Sequence, residues 1–324
     1  MKLLVTGGAG YIGSVVAAQL IDAGHEVVVL DDLSRGHAAA VPAGATHVDV
    51  ALLDEHGLHD ALADGFDGVL HFAALAVVAE SVAHPDRYWR NNVVGTLNLL
   101  DAMRAHGVRR LVFSSTAATY GDPQRIPMRE DEPTDPVNPY GDSKLAVDRM
   151  LANECPASGL GATSLRYFNV AGARGPQGED HRPETHLVPL VLEAAAGRRS
   201  HISVYGTDYD TRDGTAVRDY IHVEDLGDAH LLALDAVRPG EHRVYNLGSG
   251  TGYTVREVIE AARRVTGREI PAKEEPRRAG DPPQLVAASD RARDELGWSP
   301  RRTLDDMIAD AWTWHQAHPD GYGD

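Results

Sequence analysis

A tyrosine and a lysine that stand four residues apart, Tyr140 and Lys144, have the types and spacing needed for acid–base chemistry. On a helix, side chains at positions i and i+4 share one face, so the phenol and the ammonium would be neighbours. A phenol has a reference pKa of about 10, and a nearby positive charge lowers that value by favouring the phenolate. The pair therefore predicts a base that can act near neutral pH. A chance Tyr-x-x-x-Lys is the plainer alternative, but its position after the fifth predicted strand favours a catalytic helix.

Glycines recur every three residues just after the first predicted strand, at Gly7, Gly10 and Gly13. Glycine permits a tight turn and a close approach of the backbone to a ligand. The N-terminus of the helix that follows presents free N–H groups and a positive dipole to a pyrophosphate. Because the turn joins a strand to a helix, it predicts a site for a nicotinamide dinucleotide rather than a turn without function.

The choice between NAD and NADP depends on the end of the second predicted strand, where Asp31 and Asp32 stand. An acid at this point accepts hydrogen bonds from ribose hydroxyls and repels the 2′-phosphate of NADP. Arg35 alone would favour the phosphate, but two carboxylates outweigh it. The sequence therefore predicts NAD as the cofactor.

Short apolar runs alternate with helical patterns over the first half of the chain. Strands are predicted at 3–6, 26–30, 47–50, 68–72, 111–115 and 162–167, and helices near 12–23, 54–63, 86–106 and 141–155. Several of these strands are apolar on both faces, which predicts a doubly wound parallel (Rossmann) α/β sheet covered by helices on each side. Ligands of such sheets bind at the carboxyl ends of the strands.

The texture of the chain changes after residue 168. Glycine and proline crowd 171–183, a helical pattern returns near 186–197, and loops are expected at 206–216 and 276–284. We predict an NAD-binding domain over 1–170 and a smaller C-terminal substrate domain over 171–324. Within a stretch near 218–247, the segments 220–234 and 244–247 are expected to return to the main sheet.

Bulk composition limits the possible partners and location. A formal net charge of −17 argues against an extended nucleic-acid surface or an anchor on an anionic membrane. The start of the chain does not resemble a secretory leader, and no run of 18 apolar residues is present. One cysteine, Cys155, cannot form an internal disulfide, so a cytoplasmic location is expected. The 16 histidines show no HExxH, His-x-His cluster or Cys/His spacing, and no metal site is predicted.

Longer segments carry a resemblance to a known family. They read TGGAGYIG, HFAALAVVAES, NNVVGTLNLL, FSSTAATYGD, PYGDSKLAVDRM, LRYFNVAGA, DGTAVRDYIHVEDL and RRAGDPP. Together they resemble the extended short-chain dehydrogenase/reductase family, and within it the UDP-galactose (UDP-glucose) 4-epimerases, essentially from end to end. The resemblance implies a reversible inversion at C4 of a UDP-hexose, through a transient 4-keto sugar and bound NAD, in a homodimer formed by helices near 92–107 and 141–155.

The resemblance also implies roles for individual residues. Tyr140 would exchange a proton with the C4 hydroxyl, Lys144 would tune it and hold the nicotinamide ribose, and Thr116 would orient the C4 oxygen. Cofactor contacts are implied for Gly7, Gly10, Tyr11, Ile12, Gly13, Asp31, Asp32, Asp49, Val50, Phe72, Ala73, Ala74, Asn91, Ser114, Tyr140, Lys144 and Tyr167. Substrate contacts are implied for Thr116, Tyr140, Asn169, His186, Leu187, Tyr205, Arg218, Arg278 and Asp281.

Three positions depart from the pattern of the family. Ala76 stands where many relatives carry a lysine near the pyrophosphate, which weakens one cofactor contact. Thr185 and His186 replace a frequent Asn-Asn pair, and a histidine can still donate or accept a hydrogen bond. Leu285, at a position associated with the sugar pocket, leaves the tolerated sugar open.

Other functions on the same scaffold are separable by sequence. A nucleotide-sugar 4,6-dehydratase needs an Asp-Glu pair after the threonine, and this chain has Ala117 and Ala118 there. A 4-epimerase of UDP-glucuronate, a UDP-pentose or a UDP-N-acetylhexosamine stays open, because its chemistry at C4 is the same. A non-catalytic NAD-binding regulator is the alternative from another class, although it would not need the triad of Thr116, Tyr140 and Lys144.

Overall fold

The computed structural model describes residues 1–278 and 280–323. Within that part of the chain the backbone forms fourteen strands. They are β1 (Lys2–Thr6), β2 (Glu26–Leu30), β3 (Thr46–Val48), β4 (Gly68–His71), β5 (Arg110–Thr116), β6 (Gly161–Tyr167), β7 (Asn169–Ala171), β8 (Ile202–Tyr205), β9 (Val217–Arg218), β10 (Tyr220–His222), β11 (His242–Leu247), β12 (Tyr253–Thr254), β13 (Ala272–Glu275) and β14 (Gln284–Leu285).

Eleven α-helices accompany these strands in the described residues. They are α1 (Tyr11–Asp22), α2 (Glu55–Leu62), α3 (Val78–Ala83), α4 (Pro85–Tyr88), α5 (Gly95–Ala105), α6 (Pro139–Ser158), α7 (Leu187–Ala195), α8 (Val223–Asp235), α9 (Val255–Thr266), α10 (Asp290–Leu296) and α11 (Leu304–Ala317). No helix in this part of the chain has both the length and the apolar composition needed to cross a membrane.

Seven strands form one parallel sheet in the order β11-β6-β5-β4-β1-β2-β3. Successive residues of a strand point to opposite faces, and β1 shows this directly. Leu3 and Val5 pack with α1 and α8 on one face, whereas Leu4 packs with α2, α5 and α6 on the other. The predicted doubly wound α/β fold is therefore confirmed. The strand order reverses between β1 and β4, and that reversal opens the crevice in which such sheets bind ligands.

Most predicted elements appear within two residues of their expected bounds, although the helix predicted over 141–155 continues to Ser158. Three details differ from the prediction. The helix expected over 86–106 is divided into α4, a π-helical segment Trp89–Val94 and α5. The strand expected over 47–50 ends at Val48. The segment 220–234 does not add a strand to the main sheet, because β10 pairs with β7 instead, while its helix α8 packs against α1 and the sheet.

The segment after residue 171 builds a second apolar core. Its members come from α7, α9 and α11 together with β8 and β10. Two parts of the later chain nevertheless join the first core: β11 extends the main sheet beside β6, and α10 with Trp298 packs beneath it. Chain connections therefore cross between the two cores several times, and the cleft between them is bounded by both.

Candidate active site

The carboxyl end of β5 and the start of α6 bring Thr116 and Tyr140 together. Asn138 caps α6, since its side chain accepts a hydrogen bond from the Gly141 amide at 2.9 Å, and Pro139 occupies the first helical position, as is typical of helix starts. Tyr140 therefore lies in the first turn of α6. Thr116, at the end of β5, is the hydrogen-bonding neighbour that lowers the pKa of Tyr140.

The electrostatics of Tyr140 differ from the sequence prediction. Lys144 was expected to lower the pKa of Tyr140. Burial instead raises that pKa, and the hydrogen bond with Thr116 opposes the rise only in part. The residues of the chain alone thus keep the phenol protonated.

Lys144 is buried and held by the strand rather than by the tyrosine. Its Nζ donates to the carbonyl oxygen of Ser114 at 2.8 Å and lies 4.8 Å from the centre of the Phe113 ring. Burial lowers the pKa of Lys144 to about 7, against an opposing effect of the Asp148 charge. The ammonium is therefore fixed one helical turn after Tyr140 and is easily deprotonated.

Asn92 braces this arrangement, and sequence reasoning did not assign it a role. Its amide nitrogen donates to Ser143 Oγ and to the Leu75 carbonyl, both at 3.0 Å, and its oxygen accepts the Leu75 N–H at 2.8 Å. Ser143 in turn donates to the Tyr140 carbonyl at 2.8 Å. Asn92 thus ties the loop after β4 to the catalytic turn of α6, while its predicted neighbour Asn91 lies on the cleft wall. The adjacent pair in NNVVGTLNLL was the only available signal.

The glycine turn after β1 is packed as tightly as its spacing suggests. Gly7 has a φ of 72° and lies against the backbone of Ala73, and any side chain at Gly13 would overlap the Gly7 carbonyl. Gly10 differs, because a Cβ there would meet its nearest atom, the Gly7 oxygen, only at 3.4 Å. No side chain caps α1. The turn therefore leaves an open backbone surface and a helix N-terminus that suit a pyrophosphate.

Asp31 fixes the same turn from the end of β2. Its two carboxylate oxygens accept the N–H groups of Ala9 and Leu33, each at 3.0 Å. Burial raises the pKa of Asp31, and the two backbone hydrogen bonds oppose that rise. Each oxygen keeps a second lone pair that could accept a ribose hydroxyl. Arg35 is engaged elsewhere, since its Nη2 contacts both Glu80 oxygens at 2.9 Å, and this arrangement favours NAD over NADP.

A cleft of about 1380 Å³ runs from the glycine turn to the start of α7. Of the predicted cofactor residues, its wall contains Gly7, Gly10, Asp31, Asp32, Val50, Phe72, Ala73, Ala74 and Asn91. Of the predicted substrate residues, it contains Asn169, His186 and Arg278. Ala76 also lies on the wall, so the missing lysine leaves that position apolar.

Other predicted residues lie outside this wall. Asp49 is exposed, Tyr11 donates its hydroxyl to the Gly172 carbonyl at 2.7 Å, and Ser114 and Tyr167 bond to each other through their hydroxyls. The remaining members also lie outside the wall. They are Ile12 and Gly13 in α1, Thr116, Tyr140 and Lys144 at β5 and α6, Leu187 at the start of α7, and Tyr205, Arg218 and Asp281.

Two arginines predicted to contact the nucleotide diphosphate lie in different environments. Arg218, largely buried on β9, forms an ion pair with Asp281. Arg278 is exposed and stacks on Tyr205, with 4.0 Å between its guanidinium carbon and the ring centre. A guanidinium fork matches phosphate oxygens in a bidentate way. Arg278 faces the cleft without an ion-pair restraint of the kind that holds Arg218.

Asp219, next to Arg218 in the segment DGTAVRDYIHVEDL, is a residue that sequence reasoning passed over. It is fully buried, and it accepts the N–H groups of Ser249, Gly250 and Ala287 at 2.7, 3.1 and 3.0 Å. Its carboxylate thus holds the loop after β11 and the chain beyond β14 against β9. It therefore fixes the backbone that directly follows Arg218.

His186 contacts two carboxylates of its own segment, in addition to lining the cleft. Its Nδ1 lies 2.9 Å from a Glu179 oxygen and 3.1 Å from a Glu184 oxygen. Burial alone would lower the pKa of His186, but the Glu179 charge and the hydrogen bonds that its ring donates to both carboxylates raise it to about 10. His181 belongs to the same group.

Comparison with known proteins places this site in a class. Residues 3–248 match the model of the NAD dependent epimerase/dehydratase family. The chain therefore belongs to that family. The match covers the whole parallel sheet, the glycine turn and the Thr116–Tyr140 pair.

Three similar proteins within this family share one activity in their names. The chain is 58% identical to a UDP-glucose 4-epimerase of Streptomyces lividans, over 100% of this chain and 98% of the relative. It is 54% identical to a UDP-glucose 4-epimerase of Corynebacterium glutamicum, over 98% and 96%. It is also similar to the crystal structure of UDP-glucose 4-epimerase from Bifidobacterium longum in complex with NAD+ and UDP, with a TM-score of 0.94, 39% identity and coverage of 99% and 100%.

Proposed function

We propose that this chain is an NAD-dependent UDP-glucose 4-epimerase, which interconverts UDP-glucose and UDP-galactose. The observation that carries the proposal is the placement of Thr116 at the carboxyl end of β5 and of Tyr140 and Lys144 on the first turns of α6, in a fold with a glycine turn suited to a dinucleotide. The full-length identity to enzymes of this activity supports the same substrate.

NAD, when bound, accepts the hydride from C4 of the sugar and returns it. Residues of the chain transfer the proton of the C4 hydroxyl. Tyr140 accepts the proton of the C4 hydroxyl as C4 becomes a ketone, and donates it back after the ring has turned its other face. Thr116, already hydrogen-bonded to Tyr140, orients the C4 oxygen between the two hydroxyls. Return of the hydride to the opposite face gives the inverted sugar.

Tyr140 needs a nearby positive charge before its phenol can lose its proton, because burial raises the pKa of the phenol. Lys144, fixed by Ser114 and Phe113, supplies a cation one turn away when its amine is protonated, which its pKa of about 7 allows below neutral pH. The oxidised nicotinamide supplies another. Both favour the phenolate by Coulombic attraction. The base would thus become active only when the oxidised cofactor is in place.

The scaffold disfavours dehydration of the sugar. Thr116 is followed by Ala117 and Ala118, which form a short helical turn and carry no group that could protonate a leaving hydroxyl. A 4-keto sugar formed here would therefore be reduced again rather than lose water.

A substrate panel tests the proposed function. The purified protein with NAD would be given UDP-galactose, UDP-glucuronate, UDP-arabinose and UDP-N-acetylgalactosamine, and products would be resolved by chromatography. We expect the highest kcat/KM with UDP-galactose. Turnover of UDP-glucuronate without turnover of UDP-galactose would overturn the substrate assignment, and turnover of none would overturn the activity.

A change at Gly10 tests where the dinucleotide lies. Gly10 has ordinary extended backbone angles, with φ −84° and ψ 173°, and an added Cβ meets no protein atom closer than 3.4 Å. Gly10→Ala should therefore change the free energy of unfolding by less than about 1 kcal/mol. If the pyrophosphate packs on Gly10, the methyl group should weaken NAD binding by more than about tenfold, or about 1.4 kcal/mol, measured by fluorescence titration.

The matched variant is Gly13→Ala, whose Cβ would overlap the Gly7 carbonyl. It should lower stability and NAD affinity together, measured by urea denaturation and the same titration. Unchanged NAD affinity in Gly10→Ala would show that the pyrophosphate does not pack on the glycine turn.

Two consecutive arginines offer a controlled test of substrate binding. Arg278 lines the cleft, whereas Arg277 pairs with Asp208 at 2.7 Å and stacks on Tyr209. Hydrogen bonds to charged groups contribute about 1.5–3 kcal/mol, so Arg278→Gln should raise KM for UDP-galactose by about tenfold with little change in kcat. Arg277→Gln should leave KM within about twofold. Equal effects of the two changes would contradict a diphosphate contact for Arg278.

We propose in addition that two copies of the chain pair through α5 and α6. Apolar side chains beside and on α5 are exposed: Trp89 by 42%, Val94 by 45% and Leu97 by 46%. Pairing would remove these side chains from water. Light scattering during gel filtration should report twice the 34.9 kDa chain mass, and a mass of one chain at micromolar concentration would contradict the pairing.

A further inference from the structure

Four side chains of one short segment converge beside the cleft. Glu179, His181, Glu184 and His186 alternate along 179–186, and one ligand-type atom of each lies within 4.8 Å of the others. The carboxylate of Glu179 is 6% exposed and that of Glu184 is 10% exposed. This group, the His–Glu cluster, is built from residue types that bind divalent transition metals.

The spacing of the His–Glu cluster matches tetrahedral coordination. Ligand bonds of about 2.0–2.1 Å to zinc place neighbouring ligand atoms about 3.3 Å apart in a tetrahedron. His181 Nδ1 lies 3.1 Å from Glu179 Oε1 and 3.7 Å from Glu184 Oε2. His186 Nδ1 lies 2.9 Å from Glu179 Oε1 and 3.1 Å from Glu184 Oε1. With one oxygen of Glu184 as the ligand, three of the six edges of a tetrahedron are therefore present, whichever oxygen it uses.

One atom of the cluster distinguishes metal binding from a set of ordinary hydrogen bonds. The Nδ1 of His181 is shielded from solvent and has no hydrogen-bond partner, although Glu179 Oε1 is only 3.1 Å away. The two atoms are close enough for an ion pair with a protonated ring, but their geometry is not that of a hydrogen bond. A buried ring nitrogen without a hydrogen bond is costly, and a metal ion at the centre of the cluster would satisfy it.

A Zn²⁺ ion in the cluster would take the place of the protons that the two largely buried carboxylates hold on the histidine rings. Its binding would therefore release protons and leave two neutral imidazoles as ligands. Four protein ligands leave no open position, which is typical of structural rather than catalytic zinc sites.

A second group of possible ligands lacks these features. His222 approaches Asp310 at 3.1 Å, but its other ring nitrogen already accepts the Glu224 amide at 3.1 Å. Asp310 is about half exposed. Both ring nitrogens of that histidine have partners, so nothing there calls for an ion.

We propose that Glu179, His181, Glu184 and His186 bind one Zn²⁺ ion that fixes the cleft wall. His186 caps the start of α7, and the ring of His181 lies 6.5 Å from that of Tyr11 at the start of α1. The ion would thus lock the segment between the nucleotide side of the cleft and the glycine turn into one conformation. Neither its binding nor its effect on folding depends on the identity of the sugar substrate.

The test uses the full-length protein with any histidine tag removed, stripped with a chelator and then dialysed. Wild-type protein titrated with ZnCl₂ should bind one Zn²⁺ per chain by calorimetry and mass spectrometry of the metal, and its Tm should rise. His181→Gln and Glu184→Gln should each weaken binding by more than about a hundredfold, because even indirect partners of metal ligands contribute 10- to 100-fold.

His56→Gln is the matched control, because His56 is exposed on α2 far along the chain from the cluster. It should bind zinc as the wild type does. Wild-type protein that binds no zinc, or binds it no more tightly than His181→Gln, would overturn the proposal even if a variant folds poorly. Loss of zinc binding with UDP-galactose turnover retained would support the metal site and leave the proposed function standing.

Discussion

Tyr140→Phe should lose about a thousandfold in kcat while it keeps its NAD and its fold. The change removes one oxygen atom, and that atom is the proposed proton acceptor, hydrogen-bonded to Thr116. Positioned proton transfer contributes about 10²- to 10⁴-fold to rate. KM for UDP-galactose should change little, because the nucleotide supplies most of the binding. The measurement is a coupled assay for UDP-glucose with saturating NAD.

Tyr245→Phe is the control for the loss of a buried tyrosine hydroxyl. Tyr245 lies on β11, and its hydroxyl donates to Glu295 at 2.8 Å on the far edge of the sheet. This variant should keep kcat within about twofold, since its hydroxyl touches no part of the cleft. A kcat for Tyr140→Phe within tenfold of the wild-type value would show that Tyr140 is not the base.

Arg166→Met should lower the free energy of unfolding by about 3–5 kcal/mol. Arg166 and Asp148 form a buried pair at 2.7 Å, with side chains 6% and 4% exposed, and Ser115 Oγ contacts the same carboxylate. Removing the arginine leaves the Asp148 charge buried without its partner. The pair lies under the carboxyl end of β5 and α6, so its loss should loosen the catalytic turn. Urea denaturation followed by circular dichroism measures the change.

Two further variants separate charge from packing in this prediction. Arg243→Met, on the neighbouring strand β11, removes an ion pair with Glu241 whose two side chains are 21% and 47% exposed, respectively. This change should lower the free energy of unfolding by less than about 1 kcal/mol. The double variant Arg166→Met with Asp148→Asn removes the stranded charge and should recover part of the loss. An Arg166→Met variant no less stable than Arg243→Met would show that the buried pair contributes nothing.

The sheet and the glycine turn could be read from the sequence because their causes are local. A strand that is apolar on both faces indicates a sheet covered by helices on each side. The glycines that follow it indicate the edge of the sheet at which a ligand binds. Helix 86–106 was read as continuous because its apolar pattern hardly changes. The π-helical segment contains Asn92, whose hydrogen bonds to Leu75 and Ser143 are long-range contacts that no local pattern reports.

The electrostatics of the site could not be predicted from spacing. An i to i+4 relation places Lys144 on the same helix face as Tyr140, but the direction of the ammonium depends on the Ser114 carbonyl and the Phe113 ring of another element. The His–Glu cluster was missed for a related reason. Its ligands alternate as E-x-H-x-x-E-x-H in a loop, a spacing outside the familiar metal motifs, and only the fold of 179–186 brings one ligand-type atom of each together.

The fate of the C4 hydrogen tests the central claim most directly. UDP-galactose carrying deuterium at C4 would be converted to UDP-glucose in ordinary water with unlabelled NAD in excess, and the product analysed by NMR. Hydride removal and return within one turnover predicts that the deuterium stays at C4 of UDP-glucose. Deuterium lost to water, or diluted into the free NAD pool, would contradict inversion through an oxidised sugar held in the cleft beside Tyr140.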